Sequence, residues 1–306
     1  MRLSQRLRNC ARFAGVVPSQ HSQRLGLRNN MTDLTSPDDH AGRIALMHEA
    51  ADAAGRAIIP FFRTGLDVDV KPGNRPFDPV TEGDRAGEQA IRELLGTRAP
   101  NDAVFGEEFG AIEPTAPSGY RWIIDPIDGT RGFILGLPTW GTLIGVEKDA
   151  TPTLGLMDQP YVGERFYSDG AASYFSRHAT APRRLKTRKT QTLAQAHMAA
   201  THPDIFASSH ERTVFDTFRQ RVRDTRFGTD CYAYCLLAAG FIDIVVEAGL
   251  ESYDVAALIP IIQNAGGCIT TWDGAPAQAG GRIIATANPT LHAAALAEIS
   301  AIGGSA

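Results

Sequence analysis

At 306 residues, 43% hydrophobic and 21% charged, the chain is long enough to bury a substantial core and too apolar to be disordered throughout, which fits one large domain or two coupled ones. A net charge of −4 with a pI near 6.1 gives no electrostatic ground for binding nucleic acid or an anionic membrane, so a small-molecule partner is expected. No apolar run reaches the roughly 20 residues that span a bilayer, and Cys10, Cys231, Cys235 and Cys268 lack CxxC spacing, reading as buried reduced thiols rather than a zinc or redox site.

Arg2, Arg6, Arg8, Arg12, Arg24 and Arg28 stand in a stretch without a single acid, which sets residues 1–32 apart from the fold. They read as a disordered leader or an upstream start before Met31, with an organellar targeting signal as the alternative to a cytoplasmic protein. Ile44, Leu46, Met47, Ala50, Ala54, Ile58, Ile59, Phe61 and Phe62 recur at helical spacing and predict an amphipathic helix over 40–63. Leu66 to Val70 alternates like a half-exposed strand, and the Gly/Pro/Asn-rich stretch Pro72 to Pro79 reads as a flexible lip. Thr81 is the candidate N-cap of a helix carrying Ala86, Ala90, Ile91, Leu94 and Leu95, with Asp84 in its first turn.

A short strand at Val104-Phe105 exits into Gly106-Glu107-Glu108, where adjacent extended residues diverge, so one carboxylate at most faces a shared cation. The apolar run Trp122 to Ile124 predicts a buried strand that delivers Asp125 and Asp128 into the turn Gly129-Thr130 before a short helix at Arg131 to Ile134. Two hard oxygen ligands beside free backbone N–H groups suit Mg2+ or Mn2+ on one side and a phosphate on the other. Runs at 140–146, 153–157, 164–167 and 172–175 predict an antiparallel meander, and the basic cluster over 176–190 reads as a solvated connector, with an anion or oligomer site as the alternative. Further on, a helix is predicted over 230–239, a strand over 241–246, a helix over 255–265 opened by Asp254, strands over 268–272 and 283–287, and a last helix over 289–300. The expected organisation is an antiparallel-sheet α+β part over 33–185 and an α/β part over 186–306.

Four separated motifs, Pro79-Val80-Thr81-Glu82-Gly83-Asp84, Gly106-Glu107-Glu108, Asp125-Pro126-Ile127-Asp128-Gly129-Thr130 and Tyr253-Asp254-Val255-Ala256-Ala257 with Ala265-Gly266-Gly267, together resemble the inositol-monophosphatase superfamily. The resemblance implies an α/β fold in αβαβα layers, a homodimer, and a site in which Glu107, Asp125, the Ile127 carbonyl, Asp128 and Asp254 hold about two or three Mg2+ ions, Mn2+ being possible. Four converging carboxylates would raise one another's pKa values unless divalent cations neutralised them. By the same resemblance, Asp84 and Thr130 orient and deprotonate a water, and the N–H groups of Gly129 and Thr130 hold phosphate oxygens. Asp230 and Glu247 then fall where the non-phosphate part of the substrate lies.

Asp230 stands where inositol phosphatases usually carry a small residue. The runs Leu156 to Pro160, Gly163 to Arg165, Gly228 to Tyr234 and Val246 to Leu250 are similar to the histidinol-phosphatase branch. An extra acid fits a cationic substrate, since histidinol phosphate carries an ammonium and an imidazole; Asp230 could equally cap the helix that follows it. The expected reaction is hydrolysis of L-histidinol phosphate, with an inositol-1-phosphatase or broad phosphatase as the alternative and a metal-binding regulatory protein without turnover as the rival from another class. Tyr253, where the family commonly has Trp, and Gly83, where it has a larger residue, are departures that remove no ligand.

Overall fold

The computed structural model describes residues 40–65, 68–70, 79–178 and 180–303. The Arg-rich leader, Cys10 and the loop 72–78 lie outside the described residues. Helix α1 (His40–Ile58) buries Leu46, Met47, Ala50, Ala54 and Ile58 on one face. It stops five residues short of the predicted end, and a 3-10 turn over Ile59–Phe61 follows. Pro60 explains the stop, because it has no N–H to donate and its ring crowds the preceding turn. Helix α2 (Glu82–Arg98) begins where Thr81 predicts: the Gly83 N–H donates to Thr81 Oγ1 at 3.1 Å, and the Thr81 N–H donates to Asp84 Oδ2 at 2.8 Å. This reciprocal capping box fixes the Asp84 side chain as it fixes the helix start.

A short ribbon pairs β1 (Val68–Val70) with β2 (Pro79–Thr81). The large sheet is built from β3 (Ala103–Gly106), β4 (Gly110–Ile112), β5 (Tyr120–Asp128), β6 (Gly141–Lys148), β7 (Thr151–Gln159), β8 (Glu164–Ser168), β9 (Ser173–Arg177) and β10 (Arg183–Arg184), in the order 10-9-8-7-6-5-3-4. Strands 6 to 9 form the predicted antiparallel meander, which β5 and β10 extend at its two sides, but β3 and β5 run parallel, with Gly106 opposite Ile124. A helix of five residues, α3 (Thr130–Ile134), leaves the end of β5.

The small sheet holds β11 (His197–Ala200), β12 (Asp224–Phe227), β13 (Ile244–Leu250), β14 (Cys268–Thr271) and β15 (Gly281–Thr286), in the order 12-11-13-15-14. Between them run α4 (Ser209–Arg221), α5 (Asp230–Ala238), α6 (Ser252–Val255), α7 (Leu258–Gln263) and, last, α8 (Pro289–Gly303). Helix α4 has no counterpart in the predicted elements, although Ser208 and Glu211 form a capping box ahead of the buried Val214, Phe215 and Phe218. The predicted strand over 241–246 is displaced to Ile244–Leu250, because Gly240 turns with φ +81° and Phe241 is left exposed. The predicted helix over 255–265 is split in two, and the break places Pro260 in the first turn of α7, where a missing N–H costs least.

Alternation along the strands separates three cores. Ile144 and Leu156 face α1 and α2, whereas their neighbours Leu143 and Met157 face α5 and α7. On the small sheet, Val245, Ile283 and Ala285 share that middle core, while Ile244, Val246 and Ile284 pack against α4 and α8. The layers are therefore α, β, α, β, α, as the resemblance implies. Cys231 and Cys235 are free and buried, as expected, whereas Cys268 is free but only partly buried. No helix among the described residues is long and apolar enough to cross a membrane.

The link Ala256-Ala257, between α6 and α7, lies directly on the large sheet. A Cβ on Gly155 would stand 1.9 Å from the Ala257 carbonyl oxygen, and one on Gly145 2.9 Å from the Ala256 carbonyl carbon. Gly155→Ala is expected to cost about 1–3 kcal/mol by overpacking, read as a fall of several degrees in Tm; an unchanged Tm would mean that this contact is not tight.

Candidate active site

The parallel register of β3 and β5 brings both strands' C-terminal ends to one place. Glu107 follows β3, and its N–H donates to the Ile124 carbonyl at 3.1 Å, setting it beside Asp125. Asp125 and Asp128 are three residues apart, a spacing that would send them to opposite faces of a regular strand. Opposite them, however, Leu143 pairs with Asp125 and Gly141 with Asp128, so β5 carries one extra residue there. The bulge turns both aspartates to the same side. Asp254, from the first turn of α6, completes the group: Asp125, Asp128 and Asp254 offer oxygens all within 4.8 Å of one another. Glu107 is not part of that tight trio, and it adjoins the group through Asp125.

Backbone donors orient each aspartate. The Ile127 N–H donates to Asp125 Oδ1 at 3.0 Å, the Cys231 N–H to Asp128 Oδ2 at 2.7 Å, and the Glu251 N–H to Asp254 Oδ2 at 2.7 Å. Burial pushes the Asp125 carboxyl well above the usual range, and the charges of Glu107, Asp128 and Asp254 push the same way. Burial does the same to Asp128, followed by the charges of Asp230 and Asp254. Clustered hard oxygens whose ionised forms repel are the donor set that Mg2+ or Mn2+ takes, so the residues present fit a divalent cation. The Ile127 carbonyl lies in the same turn, accepting the Thr130 hydroxyl at 2.9 Å and keeping a second lone pair.

Asp84 divides its two oxygens. Oδ2 takes the Thr81 N–H and, at 2.6 Å, the Thr81 hydroxyl, while Oδ1 stands 3.5 Å from Thr130 Oγ1. The structure thus brings the predicted pair together at the outer limit of a hydrogen bond, with the Thr130 proton directed to Ile127. Burial raises the Asp84 carboxyl to about 7, against the lowering pull of the Thr81 donors.

On the far side, α5 opens with Asp230 in a left-handed conformation, φ +41°, a strained backbone for a residue with a Cβ. Thr229, not Asp230, occupies the N-cap position and its side chain makes no cap hydrogen bond, while Asp230 is the first residue of the helix and the acid of its first turn. Gly129, at φ +82°, meets Asp230 there: a Cβ on Gly129 would come within 3.2 Å of Asp230 Cβ and of Trp140 Cα. Asp230 is half-buried and raised to about 6 by burial, against a hydrogen bond with the Thr201 side chain and the charge of Arg131.

Glu247 is buried and already well supplied, accepting the Thr201 N–H at 2.8 Å, the Thr201 hydroxyl at 2.5 Å and the Tyr234 hydroxyl at 3.1 Å. Burial raises it to about 7. Thr201 thus touches both acids, and sequence reasoning passed it over. Its only signal was its place just beyond the C-terminal end of a parallel strand, where ligands of α/β sheets bind. Asp158 and Arg165, in the runs similar to the histidinol-phosphatase branch, form an ion pair at 2.8 Å that Asp52 of α1 extends, a brace away from this cluster.

Residues 40–303 match the profile of the Inositol monophosphatase family. The chain is 36% identical over 261 residues to the protein of Arabidopsis thaliana named bifunctional phosphatase IMPL2, chloroplastic, a match covering 85% of this chain and 72% of that one. It is 34% identical over 267 residues to the histidinol-phosphatase of Mycobacterium tuberculosis, covering 87% and 99%. The solved structure of an inositol monophosphatase from Zymomonas mobilis superposes with a TM-score of 0.74 at 38% identity, over 85% of this chain and 98% of that one. Fold and relatives together set the chain among the phosphatases. It belongs to the inositol monophosphatase family.

Without a cation, the raised carboxyls make stability depend on pH. Asp84, held near 7 in the folded chain, keeps its proton above the ordinary carboxylate pKa of 3.8, where the unfolded chain has released it. Its unfavourable contribution therefore grows as pH rises from about 4 to about 7, and Asp125 and Asp128 add to it in the same direction. Chelator-treated protein should lose Tm over that range, and added Mg2+ should restore more Tm at pH 7.5 than at pH 5. A Mg2+ effect that is equal at both pH values would contradict the cluster's charge.

Proposed function

We propose that this chain is a Mg2+-dependent phosphomonoesterase that hydrolyses L-histidinol phosphate to L-histidinol and phosphate. The reading of the reaction rests on the carboxylate cluster lying beside the Asp84 and Thr130 pair. Glu107, Asp125, the Ile127 carbonyl, Asp128 and Asp254 would hold the cations, whose Lewis-acid charge lowers the pKa of water and offsets the negative charge of the departing alkoxide. The N–H groups of Gly129 and Thr130 receive phosphate oxygens. Thr130 Oγ1 positions the attacking water, and Asp84 Oδ1 accepts its proton through that hydroxyl once the hydroxyl turns from the Ile127 carbonyl towards Asp84; burial makes Asp84 a stronger base than an exposed carboxylate.

The single observation that favours a cationic substrate is Asp230, a half-buried carboxylate held by strained backbone against the Gly129 turn. Glu247 stands behind it, linked through Thr201, and adds negative potential from a position where its own oxygens are already engaged. An ammonium or imidazolium facing Asp230 would relieve the repulsion between the two acids. The second reading is an inositol-1-phosphatase, favoured by the 38% identity to the Zymomonas mobilis structure. A regulatory protein without turnover is disfavoured because Asp84 and Thr130 stand together at the cluster.

Steady-state kinetics with histidinol phosphate and inositol 1-phosphate, each with and without Mg2+, decide the substrate. A kcat/KM at least tenfold higher for histidinol phosphate is expected, and preference for inositol phosphate would overturn the assignment. Asp230→Ala should raise KM for histidinol phosphate about tenfold or more while sparing a small neutral phosphoester; equal losses on both would remove Asp230 from recognition. Asp128→Asn should lower kcat by a factor of about 100 or more with the chain still folded, and near-normal turnover would contradict its place among the ligands.

A further inference from the structure

Helix α2 carries a second acid directed at the site's surroundings. Glu88 lies one turn beyond Asp84, on the same face, and is fully buried. A carboxylate this deep is costly unless its oxygens are filled. They are filled by the turn that follows β3: the Glu108 N–H donates to Oε2 at 2.7 Å and the Phe109 N–H to Oε1 at 3.2 Å. Arg92, one turn further along α2, donates to Oε1 at 2.6 Å and reaches across to the Gly110 carbonyl. Gly106 is shaped to the same contact, since a Cβ there would stand 2.1 Å from Glu88 Oε1. The residues on both sides of Glu107 are thus clamped by Glu88 and its partner Arg92.

We infer that Glu88 is a positioning residue for Glu107: from inside α2 it holds the turn that presents the Glu107 carboxylate to Asp125, and through it sets the affinity of the site for a divalent cation. The inference rests on the reading of Glu107 as a cation ligand. It adds that one helix serves the site twice, with Asp84 directed at the water and Glu88 at the ligand. Two anchors of the chemistry then move as one rigid body. Removing the clamp leaves Glu107 in place covalently but lets its turn swing, a loss that falls on cation binding before it falls on the fold.

The test is Mn2+ binding to the chelator-stripped protein by calorimetry, on wild type, Glu88→Gln, Glu107→Gln and the double variant, with amide hydrogen exchange on the same samples. Glu88→Gln should weaken Mn2+ binding about tenfold, speed exchange at the Glu108 and Phe109 amides and leave the α1 amides as they are. In the Glu107→Gln background it should add nothing, because its effect runs through Glu107. Additive losses, or wild-type affinity in a folded Glu88→Gln protein, would overturn the inference. Absence of Mn2+ binding to the wild type would instead overturn the cation site itself. Should Glu88→Gln not fold, Glu88→Asp, which keeps the charge but falls short of the turn, is read in its place with the same outcomes.

Discussion

Like charges crowded into a small buried volume are the constraint around which this chain is built. Two ionised carboxylates whose oxygens lie within 4.8 Å repel by roughly 3 kcal/mol or more at an effective dielectric constant of about 20, and three aspartates give three such pairs. A hydrogen bond to a charged group returns about 1.5–3 kcal/mol, and one backbone N–H supplies each aspartate. Those donors hold the side chains in place but leave a deficit that protons or cations must meet. Burial first, and neighbouring negative charge second, displace the Asp125, Asp128 and Asp84 carboxyls upward in the same direction.

The scaffold concentrates these charges through a few irregularities in otherwise regular elements. One parallel pairing in a sheet that is mostly antiparallel aligns the ends of β3 and β5. One extra residue in β5 turns Asp128 to the side of Asp125. The break between α6 and α7 lets the Ala256-Ala257 link rest on bare glycines of the large sheet, which brings Asp254 from the other half of the chain into range. Each departure from regular geometry has a cost, and all three sit at or beside the cluster. That is the distribution expected when strain is kept where the chemistry requires it.

The same logic extends to the side proposed to receive the substrate. Asp230 adopts a backbone conformation that disfavours a Cβ, and its neighbour across the gap, Gly129, has none. Glu247 sits behind with both oxygens occupied, so the two acids are unequal: one faces the site and the other acts through the field and through Thr201. Under the proposed reading, this arrangement would favour a positive charge at short range without a second exposed acid that would also attract stray cations.

Much of this was legible in the order of residues. The ligand types, the N-cap at Thr81, the meander and most helices followed from local pattern, because capping, alternation and helical spacing are short-range properties of the chain. The family resemblance ordered Glu107, Asp125, Asp128 and Asp254 into one site on the strength of four motifs. Tertiary structure decided what local pattern cannot carry. The partner strand determines whether β3 runs with or against β5 and whether β5 bulges, and Pro60 and Pro260 moved helix ends only within the limits that packing allowed. Glu88, Thr201 and Tyr234 are not singled out by any pattern in the sequence. Apart from the Arg92 partner of Glu88 one turn along α2, their hydrogen-bond partners lie 13 to 46 residues distant, a separation at which no sequence periodicity speaks.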